Sequence, residues 1–507
     1  MARKEFLDYV WDKCVEPQLG YSFSIPHDIG YSLIGWQEVN LFERFNPLFW
    51  ECACLNVNSG EIGEYNQNDF NEDEVESDEE KELESEEEEI ETEENKKKKT
   101  VAPNYQKIAK AIYDAQASGA EISFPDINTS KNEFYPDIEN NAISYNLATV
   151  SGVSDSLYTR ILEGRPYFSL ENFLEKVQPT VGECFSLIKA GSFNRLLNKD
   201  TRTVVYYYLN LLAEQNVPFK EKLTATDLKK MIKLNLIKGF DNEVRFFKYK
   251  AFLDKNQLDP ANKNRYLLTD DTCIKFFNLF FKDKLVLSKD EYGYLPGDKI
   301  FIKSTPFKKI YESYLEPLVN FYKSEEGLKQ YHEQMQEIYK NELKEKYCAG
   351  SVSKWQFDTM YYYHDGHELA NMNDAMYNTR NFEELPLLPA DKNDVCSLAG
   401  TVIGSNRVKH MVSILTKYGV VDIKMYKETF DRFNQRISVI DPATKKKTVI
   451  DESWFKRGNK ILVYGQRKEN LFTSRNYRKG NYSLSVGLIS EVNIDGSLQI
   501  RYSRNKK

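Results

Sequence analysis

Residues 61–94 set 19 Asp or Glu side chains against a single lysine, Lys81, with almost nothing apolar among them. Like charges repel and no core can form there, so the segment reads as a solvated, disordered loop. The alternative is a tail that mimics the charge of a nucleic acid and competes for a basic groove. Either way the 507-residue chain must fold around it, as a short block before residue 60 and a long one after residue 100. The run also masks the character of the rest. The whole chain carries −8 and the run alone −18, so everything outside it carries +10. Aromatic residues make up 13% of the chain, and a basic, aromatic-rich body suits an anionic polymer as partner.

The length predicts two to four domains, and an apolar fraction of 41% is enough for sizeable cores. No stretch of eighteen apolar residues exists and "MARKEFLDYVWDKC" lacks a signal-peptide core, so no membrane partner and a cytoplasmic location are expected. Seven cysteines are too few and too scattered for a disulfide framework, and the pair Cys52 and Cys54 reads as buried thiols.

Five segments follow from the changes in pattern. Residues 1–60 are helical, and the helix over 27–42 is apolar nearly all the way round through Leu33, Ile34, Trp36, Val39, Leu41 and Phe42. It therefore expects protein on several sides, and little chain precedes it to provide that cover. The acidic insert occupies 61–100. Residues 101–220 begin with an amphipathic helix (Ile108, Ala111, Ile112 and Ala115 on one face) and continue as short capped helices, one opened by a Thr180/Glu183 capping box. Residues 221–390 read as a helical connecting region. From 391 to 507 the period falls to two, with Val421, Ile423 and Met425 alternating against Asp422 and Lys424.

Two of these segments carry nucleic-acid chemistry. In "NAISYNLATVSGVSDSLYTRILEGRPYFSLENFLEKV", a helix over 143–150, a tight "SGVS" turn and a helix over 155–163 predict a helix-hairpin-helix. Its Gly152, Val153 and Ser154 would meet a phosphate through backbone amides, reading backbone and not bases. A second copy follows in "GECFSLIKAGSFNRL", with Lys189 beside an Ala190-Gly191 turn; a hairpin that only packs is the alternative for both. In the last segment, strand, strand, strand, helix and further strands predict an OB-fold, an all-β barrel after a mainly α multidomain region. Arg407, Lys409, Tyr418 and Lys424, with Arg467 and Arg475 in "RKENLFTSRNYRKG", could line a groove where bases stack on aromatics; an ordinary solvated barrel face is the alternative. No catalytic signature stands out. His364 and His367 in "YYYHDGHEL" have metal-ligand spacing but no third ligand of known position, so a structural loop is expected there and no metal site.

The order of these pieces resembles the C-terminal half of the bacterial DNA polymerase III alpha subunit, the C-family replicative polymerase. "IPHDIGYSLIGWQEVNLFERFNPLFWECACL" is similar to the end of its fingers domain, and "FPDIN", "GVS" and "LIKAGSF" to its tandem helix-hairpin-helix region. "MYYYHDGHELANM" is similar to its Gly-His-Pro-Leu segment, with Glu368 where proline is usual, and "YGVVDIKMYKETFDRF" with "RGNKILVYGQRK" to its OB domain. The resemblance implies that His27 and Tyr31 face the incoming nucleotide, and that primer-template DNA and a sliding clamp are partners. It also implies that the carboxylates holding two Mg2+ lie on a palm missing from this chain, which would bind no cofactor itself and pair with a separate PHP-palm-thumb half. A split gene, phage-encoded or from an AT-rich bacterium, would account for this. No clear Gln-x-x-Leu-Phe clamp peptide and no clamp-loader tail are found. The rival reading is a non-enzymatic DNA-binding accessory protein built from the same modules.

Overall fold

The computed structural model describes residues 25–59, 105–268, 292–295, 299–389, 394–440, 447–479, 482–504 and a few isolated positions; the acidic run lies outside them. The chain divides into two compact units, Met1–Val205 with Gly350–Lys507, and Tyr206–Ala349. The divisions expected at 220/221 and 390/391 therefore move. The stretch from Gly350 onward folds with the hairpins and the barrel, because its apolar residues complete their cores.

In the first unit, α1 (Ile25–Arg44) and α2 (Pro47–Ser59) open the described chain. Leu48, Cys52 and Leu55 fall on one face of α2 and are buried against Ile108, Ile112 and Ala115 of α3 (Tyr105–Ala117). A small sheet follows. Strand β3 (Ala142–Ser144) lies between β1 (Glu121–Ser123), to which it is parallel, and β2 (Tyr135–Asp137), to which it is antiparallel. The helix expected over 143–150 is absent. Asn146 Oδ1 accepts the Ala148 amide at 2.8 Å, and this side-chain turn competes with helix formation where β-branched Ile143 already favours a strand. Beyond it, α4 (Asp155–Gly164), α5 (Leu170–Val177) and α6 (Val181–Lys189) start on Ser154, Ser169 and Thr180 caps. The capping box is present: the Thr180 amide donates to Glu183 Oε2 at 2.7 Å and the Glu183 amide to Thr180 Oγ1 at 3.3 Å.

Helix α7 (Thr201–Asn216) leads into the second unit. There α8 (Ala225–Lys233) and α9 (Asp241–Asn256) precede an antiparallel sheet of β4 (Arg265–Leu268), β6 (Lys299–Lys303) and β5 (Tyr292–Leu295), in that spatial order. Helices α10 (Ser304–Phe321) and α11 (Glu325–Tyr347) complete it. Met231, Ile232, Ile237, Leu318, Tyr322 and Met335 form one buried core. This is a unit with its own core and sheet, not the helical connector expected.

The chain re-enters the first unit through α12 (Val352–Met360) and then forms the barrel. Its strands are β7 (Cys396–Asn406), β8 (Met411–Thr416), β9 (Gly419–Lys424), β12 (Lys460–Lys468) and β13 (Leu471–Ser474). Helix α13 (Lys427–Asn434) follows β9, and a hairpin of β10 (Ile437–Ile440) and β11 (Lys447–Asp451) precedes β12. Antiparallel pairing runs β9–β8–β7–β12–β13, and β13 closes the ring by pairing parallel to β9, with Phe472 opposite Ile423. This is the five-stranded OB-like barrel expected, with the helix where the sequence placed it. Strands β14 (Tyr477–Lys479) and β15 (Tyr482–Leu484) form a separate antiparallel ribbon, while β16 (Val486–Val492) and β17 (Leu498–Arg501) extend the barrel sheet, β16 pairing with β12. Val402, Val412, Val421, Ile423, Ile461 and Phe472 fill the interior, and Phe430, Phe433 and Trp454 plug one end. Strand β7 is buried on both faces. Ile403 on its outer side and Leu415 of β8 pack on Ala109 of α3, Phe357 of α12 and Tyr363, so the barrel wall is continuous with the hairpin region.

Candidate nucleic-acid interface

The two expected hairpins are used differently. Gly152 has φ +88° and a Cβ there would lie 2.7 Å from Ser186 Oγ, so only glycine fits. The Val153 amide closes the turn onto the Val150 carbonyl at 3.0 Å and its side chain packs on the core, so Val153 builds the turn and presents no group to a phosphate. Gly152 and Ser154 are exposed, and Ser154 caps α4 by accepting the Leu157 amide at 3.3 Å. The first amides of α4 have no earlier carbonyl within the helix to pair with, and Asp155 and Ser156 are exposed at this turn. The Asp155 carboxylate stands beside those amides and adds one unfavourable charge.

The second turn is internal. Gly191 (φ +82°) is buried, and a Cβ on it would lie 2.6 Å from the Phe124 ring. Its amide donates to Ile188 O at 2.9 Å, the Ser192 amide to Leu187 O at 3.1 Å and the Asn194 amide to Gly191 O at 3.0 Å. Gly191 is therefore a packing glycine, corrected from a backbone contact. Lys189 is half-buried in the last turn of α6.

Around the barrel the structure sorts the expected cations. Arg407 and Lys409 lie in the exposed β7–β8 turn, and Lys424, ending β9, reaches the Lys409 carbonyl with its ammonium. Because β9 and β13 are parallel neighbours with Lys424 opposite Thr473, the chains leaving them stay adjacent. Arg475 thus donates to the hydroxyl of Tyr426, whose ring is 56% exposed. Tyr426 was not singled out from sequence; the parallel closure that brings it to Arg475 is a tertiary fact. Arg407, Lys409, Lys424, Tyr426 and Arg475 form a cationic rim with an aromatic platform at one end of the barrel. Tyr418 is exposed but lies in the β8–β9 turn at the other end of β9, about 20 Å from Lys424 at strand rise.

Arg467 is corrected outright. It is buried, and its guanidinium donates to the carbonyls of Glu469 (2.9 Å), Phe382 (2.8 Å), Glu383 (3.1 Å) and Leu385 (3.1 Å). With its donors taken by the segment entering the barrel, it is a structural anchor.

The histidine loop is structural too. His367 Nε2 donates to Leu415 O at 2.8 Å, and Nδ1 accepts the Leu369 amide at 3.0 Å. Both nitrogens are committed, and burial pushes the imidazole down to about 4, so it sits neutral against the barrel. His364 stacks on Phe124 with ring centroids 3.6 Å apart. Glu368 accepts the Lys460 ammonium of β12 at 2.9 Å and the Tyr363 hydroxyl at 3.2 Å, which gives the carboxylate a role where the family has proline.

Helix α1 stands as its sequence predicts. Leu33, Trp36 and Val39 are exposed by 60%, 72% and 63%, and Phe45 just past the helix by 60%, a large apolar surface in water. His27 and Tyr31 are exposed on its first two turns, ring centroids 4.5 Å apart. Among the described residues no group of three or more His, Cys, Asp or Glu side chains could share a metal ion, and none of their helices is long and apolar enough to cross a membrane.

A helix-hairpin-helix motif model matches residues 119–204. A probable DNA polymerase, YorL, of Bacillus subtilis (strain 168) is 32% identical over 517 aligned residues, covering 98% of this chain and 36% of the relative. The DNA-directed DNA polymerase of Bacillus phage SPbeta matches at the same identity and coverage. The DNA polymerase III subunit alpha of Chlamydia muridarum (strain MoPn / Nigg) is 34% identical over 96 residues, 18% of this chain and 8% of that protein. The chain thus spans about a third of the length of the first two relatives. With its hairpin region followed by an OB-like barrel, it is a homologue of part of these bacterial and phage DNA polymerases, and it shares a shorter stretch with a DNA polymerase III alpha subunit.

Proposed function

We propose that this chain supplies a DNA-holding part of a DNA polymerase and works together with a palm that lies outside these residues. The observation that carries this is one compact unit bearing both an open glycine turn at Gly152 and a cationic, aromatic barrel rim at Lys424 and Tyr426. The open turn meets the duplex backbone without reading sequence, as a replicating enzyme requires. The rim holds the unpaired template by stacking on Tyr426 and charge contact with Arg407, Lys409 and Arg475. Helix α1 is the end of a fingers element, with His27 and Tyr31 toward the incoming nucleotide, and its bare apolar surface seats on the palm-bearing half. The Mg2+ ions of phosphoryl transfer would be held by the carboxylates of that palm. A sliding clamp is the processivity partner, docking on this same unit.

The chain alone should bind primer-template DNA and extend no primer. Mixed with a polypeptide carrying the PHP, palm and thumb regions, it should form a one-to-one complex that extends primers in Mg2+. A folded one-to-one complex with no extension overturns the reading and favours a DNA-binding accessory protein.

A further inference from the structure

Unit Tyr206–Ala349 has no role in the reading above, yet it carries the most one-sided charge among the described elements. The stretch from Leu228 to Phe240, "LKKMIKLNLIKGF", holds four lysines and no carboxylate. Lys229, Lys230, Lys233 and Lys238 are all exposed, while Met231, Ile232 and Ile237 between them are buried in the core of the unit. Burial of that apolar set fixes which way the lysines point. From the next helix, exposed Lys248 donates to Asn235 Oδ1 at 3.1 Å, which adds a fifth ammonium group to the same turn.

The one carboxylate on α8 does not offset them. Asp227 is buried and already taken: Lys220 donates to it at 2.7 Å, Tyr331 at 3.1 Å and the Thr224 amide at 2.9 Å. On the far helix, Asp241 and Glu243 occupy the first turn of α9. Two of the lysines, Lys230 and Lys233, complement the C-terminal end of the α8 dipole, which explains their presence but not that of Lys229, Lys238 and Lys248.

The turn also repeats the hairpin turn after α6, bond for bond. There Ala190, Gly191 and Ser192 donate to Ser186, Ile188 and Leu187; here Leu234, Asn235 and Leu236 donate to Lys230, Ile232 and Met231. The left-handed residue falls at the same place, Gly191 at φ +82° and Asn235 at φ +56°. "LIKAG" and "MIKLN" are the corresponding sequences. The copy after α6 is buried at Ala190, Gly191 and Ser192, whereas the copy after α8 is open, with Leu234 and Asn235 exposed.

We infer that the α8–α9 hairpin is a second contact for the phosphodiester backbone of DNA, formed by Lys229, Lys230, Lys233, Lys238 and Lys248. The site is sequence-independent, because every group it offers is an ammonium. It rests on the proposal that the chain holds DNA.

The test is fluorescence-anisotropy binding of the full chain to a fluorescent 40-base-pair duplex and to the matching single strand, each between 50 and 300 mM salt. The variant replaces Lys229, Lys230, Lys233 and Lys238 by Gln, exposed positions where folding should hold; circular dichroism and hydrogen exchange check this. Loss of four phosphate contacts should lower the slope of log K against log salt by about 3.6 on duplex or about 2.8 on single strand, and the strand that shows the loss identifies the form bound. Lysine acylation read by mass spectrometry on the wild-type chain should show these four side chains protected when DNA is added. Unchanged slopes on both forms, or acylation unaffected by DNA, overturns the inference while leaving the main proposal intact. No DNA binding by the wild-type chain overturns both.

Discussion

His367 offers a way to read the seam between barrel and hairpin region in solution. In the folded chain its imidazole is neutral, with Nε2–H on Leu415 O and Nδ1 accepting from Leu369 N. A proton on Nδ1 would face an N–H, so protonation breaks one bond and charges a buried ring. Burial holds the folded value at about 4, against an ordinary value of 6.5. The depressed value sets the sign. Above the ordinary value the ring is neutral in both states and the contribution is intact. As the pH falls the unfolded chain takes up the proton first, and stability is lost. The loss is about 2 kcal/mol between pH 7 and pH 5 and approaches about 3 kcal/mol below pH 4. Native-state hydrogen exchange of the Val402 and Ile414 amides reports opening of this core, after correction for the intrinsic pH dependence of exchange. Against His367→Gln, which cannot titrate, the wild-type chain should show an opening constant that rises about 30-fold more from pH 7 to pH 5. The variant should also lose a pH-independent amount of about 1–2 kcal/mol from poorer hydrogen bonding. Parallel pH dependences for the two proteins would refute the reasoning, because other titrating groups cancel in the difference.

Three further outcomes are expected. Gly191→Ala should destabilise the first unit by about 2–4 kcal/mol, from the left-handed φ together with overpacking against Phe124, as measured by denaturant midpoint. Arg467→Met should cost about 3 kcal/mol by stripping a buried donor from four carbonyls, yet leave the salt slope of DNA binding unchanged; Lys409→Gln should lower that slope by about 0.7–0.9 with stability unaffected. Glu368→Gln should cost about 1–2 kcal/mol by leaving Lys460 poorly paired, and adding Lys460→Met should recover most of it, the non-additivity appearing in a double-mutant cycle.

The chain's order of modules was legible from sequence because each rests on a local signal. The period of two over Val421, Ile423 and Met425 made a strand, the Thr180–Glu183 spacing made a helix start, and the all-round apolar pattern of residues 27–42 announced a helix without enough cover. Glycines 152 and 191 were legible as turn glycines for the same reason, since a tight turn is a local property; their left-handed φ came with the structure. The second unit was not legible: its core joins Met231 to Leu318 and Met335, which are far apart in the chain.

What these residues do was decided by tertiary structure. Gly152 and Gly191 sit in similar turns, but Phe124 covers one and solvent meets the other. Arg467 and Arg475 read alike in one basic stretch, yet strand alternation and the passing segment 382–385 bury the first, while the parallel β9–β13 closure carries the second to Tyr426. Sequence determines conformation where the controlling contacts lie within a few residues. It is silent on exposure, because burial depends on which distant surface arrives, and in this chain exposure separates a proposed DNA contact from a packing residue.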